Sequence, residues 1–113
     1  MIVVKDAEKQ KFTPAKSACV FEYDTKDQDL GGATAIIKGR YPDFAFVVNQ
    51  KVKQLVYVIS GSGGILTPDG IHVLNKGDMV FIDKGEKFAW DGTMELFIAN
   101  APRFDPKQYK PTE

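Results

Sequence analysis

Apolar and polar residues alternate with a period of two along most of the chain, the pattern of strands with one buried face. Ala18–Tyr23, Ala33–Ile37, Phe44–Asn49, Leu55–Ser60 and Met79–Ile82 are short runs rich in β-branched and aromatic residues, and such runs favour strands. Lys11–Pro14, Ile65–Thr67, Ile71–Leu74, Phe88–Trp90 and Met94–Ala99 continue the series. Gly and Pro punctuate it. Pro68-Asp69-Gly70 reads as a hairpin turn, Gly61-Ser62-Gly63-Gly64 ends one strand, and Asp91-Gly92-Thr93 separates the last two. No stretch keeps a helical period for the length of a helix. The tail carries Pro102, Pro106 and Pro111 and has room for one helical turn, beginning near Asp105-Pro106. Short strands with turn signals every few residues predict an all-β sandwich or barrel of antiparallel strands.

Composition narrows the chemistry. A length of 113 residues is one domain's worth of chain. The division expected is N-terminal strands over 1–38, a central region over 39–100 and a Pro-rich tail over 101–113. Fifteen basic and fifteen acidic side chains cancel, so the totals show no basic field for nucleic acid. No apolar run approaches the roughly 18 residues of a membrane span. The N-terminus, Met1-Ile2-Val3-Val4-Lys5-Asp6, does not read as a secretory leader. A lone cysteine, Cys19, has no internal disulfide partner, and a reducing, cytoplasmic setting is expected. A lone histidine, His72, rules out a cluster of imidazoles or thiolates within one chain, which most transition-metal sites need.

Two segments carry a family likeness. Val56-Tyr57-Val58-Ile59-Ser60-Gly61-Ser62-Gly63 followed by Lys76-Gly77-Asp78-Met79-Val80-Phe81-Ile82 resembles the paired motifs of the cupins. The resemblance implies a double-stranded β-helix, or jelly-roll barrel, with a pocket inside and a homodimer formed through an outer face. Gly61 matches the glycine that closes the first motif, and Gly77 the one that opens the second. Asp83-Lys84-Gly85 stands where the family has Pro-x-Gly. By the same correspondence Val47, Asn49, Gln54 and Phe88 occupy the four usual metal-ligand positions. Val and Phe cannot ligate a metal, and neutral amides are weak oxygen donors. The expectation is a barrel without a bound metal or other cofactor.

The family's inward face, transferred by alternation, is Ala45, Val47, Asn49, Gln54, Val56, Phe88 and Trp90. That lining suits a small organic ligand, or it simply fills the barrel. Arg40, at a turn beside Tyr41, can hold an anionic group of a ligand by a bidentate contact. His72 reads as an edge residue and Cys19 as a small buried hydrophobe. Leu55, Tyr57 and Ile59 point away from the cavity and offer a second surface for a homodimer, with Ile2-Val3-Val4 as a strand to exchange. Four functions stay open: a small-molecule-binding barrel of unassigned ligand, a metal-independent isomerase, epimerase or lyase acting on a sugar or carboxylic acid, a non-catalytic interaction module, and a degenerate metal enzyme using Glu22, Glu95 or Asp side chains with Asn49 and Gln54. The second needs an inward acid or base; Gln54 stands where the family has its carboxylate, which leaves Glu22 and Tyr23 as its poor candidates.

Overall fold

A computed structural model describes residues 1–112. Nine strands follow in order: β1 (Gln10–Ala15), β2 (Ala18–Tyr23), β3 (Gly31–Lys38), β4 (Phe46–Asn49), β5 (Lys53–Thr67), β6 (Gly70–Asn75), β7 (Met79–Ile82), β8 (Lys87–Ala101) and β9 (Tyr109–Thr112). Single helical turns lie at Asp6–Glu8 and Pro106–Gln108. All pairings are antiparallel.

The two long strands organise the barrel. β5 and β8 pair from Lys53↔Ala101 to Leu66↔Ala89. The C-terminal half of β8 also pairs with β3, from Gly31↔Asn100 to Lys38↔Thr93. The start of β8 turns away to pair with β4, at Val47↔Phe88. One strand therefore serves two walls, and the sheet curls around a single apolar cluster that includes Ala35, Val56, Phe88, Trp90, Leu96 and Ile98.

The turn signals within these strands mark bends, where chain breaks were expected. Ser60 runs on through Gly61-Ser62-Gly63-Gly64, and Trp90 through Asp91-Gly92-Thr93, without interrupting the ladder. Glycine is required there by close approach. A Cβ on Gly61 would lie 2.0 Å from the Thr93 carbonyl oxygen, and one on Gly63 would lie 2.2 Å from that of Asp91. Gly61 also has φ +83°, a region glycine enters without steric cost.

The tail holds the second departure. The helical turn at Pro106–Gln108 starts where the sequence places it, but a ninth strand follows. β9 pairs with β4 from Phe46↔Thr112 to Asn49↔Tyr109. Pro111 is tolerated because β9 is an edge strand whose outer side needs no ladder bond. The tail's anchor is Gln108, which is buried. Its Oε1 accepts from the backbone N–H groups of Lys51 and Val52 at 3.1 and 3.3 Å, and its Nε2 donates to Asn49 Oδ1 at 2.8 Å.

The outer face carries exposed apolar side chains. Leu55 pairs with Phe81, and Tyr57 with both Met79 and Phe97. These five side chains are 40–60% exposed, and they form one patch across β7, β5 and β8. Ile59 is only half-buried. Ile2 and Val3 are exposed, and residues 1–5 form no strand within the chain. No helix among the described residues is long and apolar enough to cross a membrane.

Candidate functional site

Strand alternation builds a cavity of about 70 Å³ inside the barrel. β2 contributes Ala18, Val20 and Glu22; β3 contributes Ala33, Ala35 and Ile37; β8 contributes Phe88, Trp90, Leu96, Ile98 and Asn100. Each set is spaced by two, so each faces one side of its strand. Phe12 and Pro14 of β1, Gln54 of β5, Tyr41 of the loop before β4, and Phe104 and Tyr109 of the tail complete the wall. Small Ala and Val residues on β2 and β3 leave the space, and Phe88 and Trp90 bound it, their rings edge-to-face with centroids 6.1 Å apart.

Three polar groupings interrupt this apolar wall. The first is an amide pair. Gln54 Nε2 donates to Asn100 Oδ1 at 2.9 Å, across the Gln54↔Asn100 register of β5 and β8. The second is a phenol pair, in which the Tyr109 hydroxyl donates to the Tyr41 hydroxyl at 2.9 Å. Burial holds both phenols well above the ordinary tyrosine pKa, and the bond from Tyr109 opposes this at Tyr41. Tyr41 is fixed by backbone bonds to Trp90 in both directions, at 2.8 and 2.7 Å. With the Tyr109 proton on Tyr41 oxygen, the Tyr41 proton is free to donate.

The third grouping is Glu22. Its carboxyl is half-buried, and loss of water raises its pKa above the ordinary glutamate value, with the charge of Arg103 partly opposing the rise. Glu22 borders both the cavity and an adjoining outer depression, together with Phe12 and Phe104. Arg103 and Asp24 stand in that depression as an ion pair, Nη2 to Oδ1 at 3.2 Å.

The inward residues expected from the sequence divide into two groups. Gln54, Phe88 and Trp90 reach the cavity. Val47, Asn49 and Val56 are buried but do not line it. Val47 and Val56 fill the packed part of the barrel, and Asn49 is spent on Gln108. Asn49 Nδ2 is buried without a partner.

Arg40 is a correction. Its guanidinium donates to the carbonyl oxygens of Pro42 and Ala45 at 2.6 and 2.8 Å and sits 5.9 Å from the Phe46 ring centroid. Ala45 has φ +55° and lies before β4, outside the alternating face to which it was assigned. The loop's carbonyls are thereby left outside the ladder, and Arg40 satisfies them rather than an anionic ligand.

His72 is exposed on β6. Cys19 is half-buried on the outer face of β2, against the expectation of full burial, with Thr13 Oγ1 at 4.0 Å from its sulfur. Tyr23 and Glu95 face away from the cavity. Glu22, Asn100, Tyr41 and Tyr109 are the cavity groups that the family correspondence does not supply. Extending the alternation from Leu96 and Ile98 to Asn100, and from Ala18 and Val20 to Glu22, finds two of them. Tyr109 needs β9, which the prolines conceal. Among the described residues there is no group of three or more His, Cys, Asp or Glu side chains placed to hold a metal ion.

The comparisons agree with this architecture. No family model and no curated protein sequence matches the chain. Solved structures do. The nucleoside dehydratase Pac13 from Streptomyces superposes with a TM-score of 0.88 at 16% identity, over 100% of this chain and 92% of that one. Ectoine synthase from P. lautus gives 0.76 at 21% identity, over 100% and 91%. An RmlC-like cupin from Shewanella frigidimarina gives 0.73 at 15%, over 91% and 92%. The chain shares their fold, the curled antiparallel β-barrel of the cupins.

Proposed function

We propose that the barrel binds a small organic molecule without a metal and moves a proton on it, with Glu22 as the acid and base. The observation that carries this reading is a titratable carboxyl, raised in pKa by burial, on the wall of the only described cavity that also holds the phenol pair and the amide pair. A carboxyl shifted toward neutrality suits proton transfer at cellular pH. As carboxylate it takes a proton from a carbon beside a carbonyl or imine. Once neutral, it returns that proton to another carbon or to a departing hydroxyl. No electrons change hands, so the reaction class is isomerisation or elimination of water. The Tyr41 hydroxyl is placed to stabilise the developing oxyanion.

Neighbours of the same fold support the reading by their names, a nucleoside dehydratase solved with uridine and an ectoine synthase. The metal-free part rests on Val47 and Phe88, side chains that cannot ligate a metal, at two of the four positions the family uses. For assembly, we propose a homodimer through the patch of Leu55, Tyr57, Met79, Phe81 and Phe97. An exposed apolar face of this kind marks an interaction surface, and a two-fold axis lets the same patch on two copies cover each other.

The test is a thermal-shift screen of sugars, sugar phosphates, keto acids, aromatic acids and nucleosides, with divalent metals in parallel wells. One organic class raises Tm by mass action. In deuterated water that ligand then gains deuterium at carbon with the wild-type protein and not with Glu22→Gln, which still binds it. A Tm rise with a metal alone overturns the metal-free reading. Deuterium uptake that is equal in Glu22→Gln overturns the role of Glu22.

A further inference from the structure

The amide pair suggests what kind of edge the ligand presents. This inference rests on the cavity being a ligand site and adds the class of ligand. Gln54 and Asn100 are 8% and 1% exposed, and both line the cavity. Two facing amides can close a ring of two hydrogen bonds, each giving one donor and one acceptor. Here one bond is made, Gln54 Nε2 to Asn100 Oδ1. Its counterpart, from Asn100 Nδ2 to Gln54 Oε1, is absent among the described residues.

The two free ends are not sealed into the core. The buried side-chain polar atoms without partners among the described residues are Ser17 Oγ and Asn49 Nδ2. Gln54 Oε1 and Asn100 Nδ2 are not among them and accept or donate no bond among the described residues, so each keeps some accessible surface on a residue that lines the cavity. They are an acceptor and a donor on neighbouring strands, in a cavity whose wall also includes Phe88, Leu96 and Ile98. In so apolar a setting both ends gain most from a ligand that answers both at once.

We propose that this pair reads a cis-amide edge, an N–H beside a C=O in one planar ring, as in a lactam, a cyclic imide or a nucleobase. The ring N–H donates to Gln54 Oε1, and the ring carbonyl accepts from Asn100 Nδ2. Exchanging oxygen and nitrogen on both amides leaves the same pattern of one donor and one acceptor, so the complement is the same. The flat Phe88 and Trp90 rings suit a planar partner.

The experiment is an NMR titration of labelled protein with 2-piperidone and with 1-methyl-2-piperidone. The methyl group removes the donor and leaves Gln54 Oε1 unpaired. The lactam is expected to bind about tenfold more tightly or better, with shifts at the Gln54 and Asn100 side-chain amides. The double variant Gln54→Leu/Asn100→Leu replaces both partners by apolar groups of similar shape, a change the fold tolerates. It is expected to lose the preference while its spectrum stays dispersed. Equal binding of both probes to the wild type, with shifts at cavity residues, overturns the edge reading and leaves the cavity a ligand site. A preference retained by the double variant overturns it as well. No shift with either probe overturns it too, and if the thermal-shift screen is also blank the ligand site falls with it.

Discussion

The Tyr109 hydroxyl donates to the Tyr41 hydroxyl at 2.9 Å, joining positions 68 residues apart. The contact exists because β9 lies along β4 and carries Tyr109 opposite Asn49. It ties the tail to Tyr41 on the cavity wall.

Both phenols ionise above the ordinary value of 10.0 because they are buried. The folded state therefore holds its phenolic protons longer than the unfolded chain. The stability this contributes is fully present below pH 10 and is lost as pH rises beyond it. A spectrophotometric titration of the four tyrosines is expected to show two late ones. Tyr109→Phe should leave one late phenol and cost about 1 kcal/mol at pH 7.

Glu22 has the same sign at lower pH. Its folded pKa lies above 4.5, so the folded state binds the proton more strongly than the unfolded chain does. Stability from this group is fully present below pH 4.5 and falls as pH rises through the folded value. Glu22→Gln should therefore melt above the wild type at pH 7 and show a flatter pH profile between pH 4.5 and neutrality. Once a turned-over ligand is known, the same variant should lower kcat by about 10²–10⁴-fold with a smaller change in KM.

Gln108 is the tail's one buried polar anchor, and Gln108→Ala strands the backbone N–H groups of Lys51 and Val52. The expected loss is about 2 kcal/mol, which for a domain this size lowers Tm by roughly 8 °C. Cleavage within 101–112 in the variant, ahead of global unfolding, would show that the tail detaches first. A Tm within the error of the wild type would mean that β9 is held by its ladder alone.

Gly63 and Gly92 face each other where β5 and β8 bend. A Cβ on Gly92 would lie 2.5 Å from Gly63 Cα, so Gly92→Ala must open the ladder. The variant is expected to accumulate poorly and to lose cooperative melting. Gly32→Ala is the control, because a Cβ there meets nothing within 4 Å.

The outer patch gives a prediction about mass. Sedimentation at micromolar concentration should return about twice the 12.5 kDa of one chain. Phe97→Glu puts a charge on the β8 side of the patch, beside Tyr57, and should return the monomer with its fold intact. A wild-type monomer across that range would remove the dimer.

The sequence by itself determined the strands and their faces. Period-two alternation depends on each residue's neighbours along the chain and sorts the side chains into two faces; the cupin resemblance implied which face points inward, and so Gln54, Phe88 and Trp90 were legible. The glycine-bounded motifs were enough to name the cupin fold. Other features are decided by packing between distant segments. Gly61 and Gly92 bend strands that a local reading ends, because only the close approach of β5 to β8 shows why glycine is there. Pro111 conceals β9, because its place at a sheet edge is not written in its neighbours. The separation of Val47, Asn49 and Val56 from the cavity, and the diversion of Arg40 to the carbonyls of Pro42 and Ala45, are settled by where the tail and the loop before β4 fall. Alternation says that a side chain points inward. Only the tertiary structure says whether it meets open space, as Glu22 and Asn100 do, or another side chain.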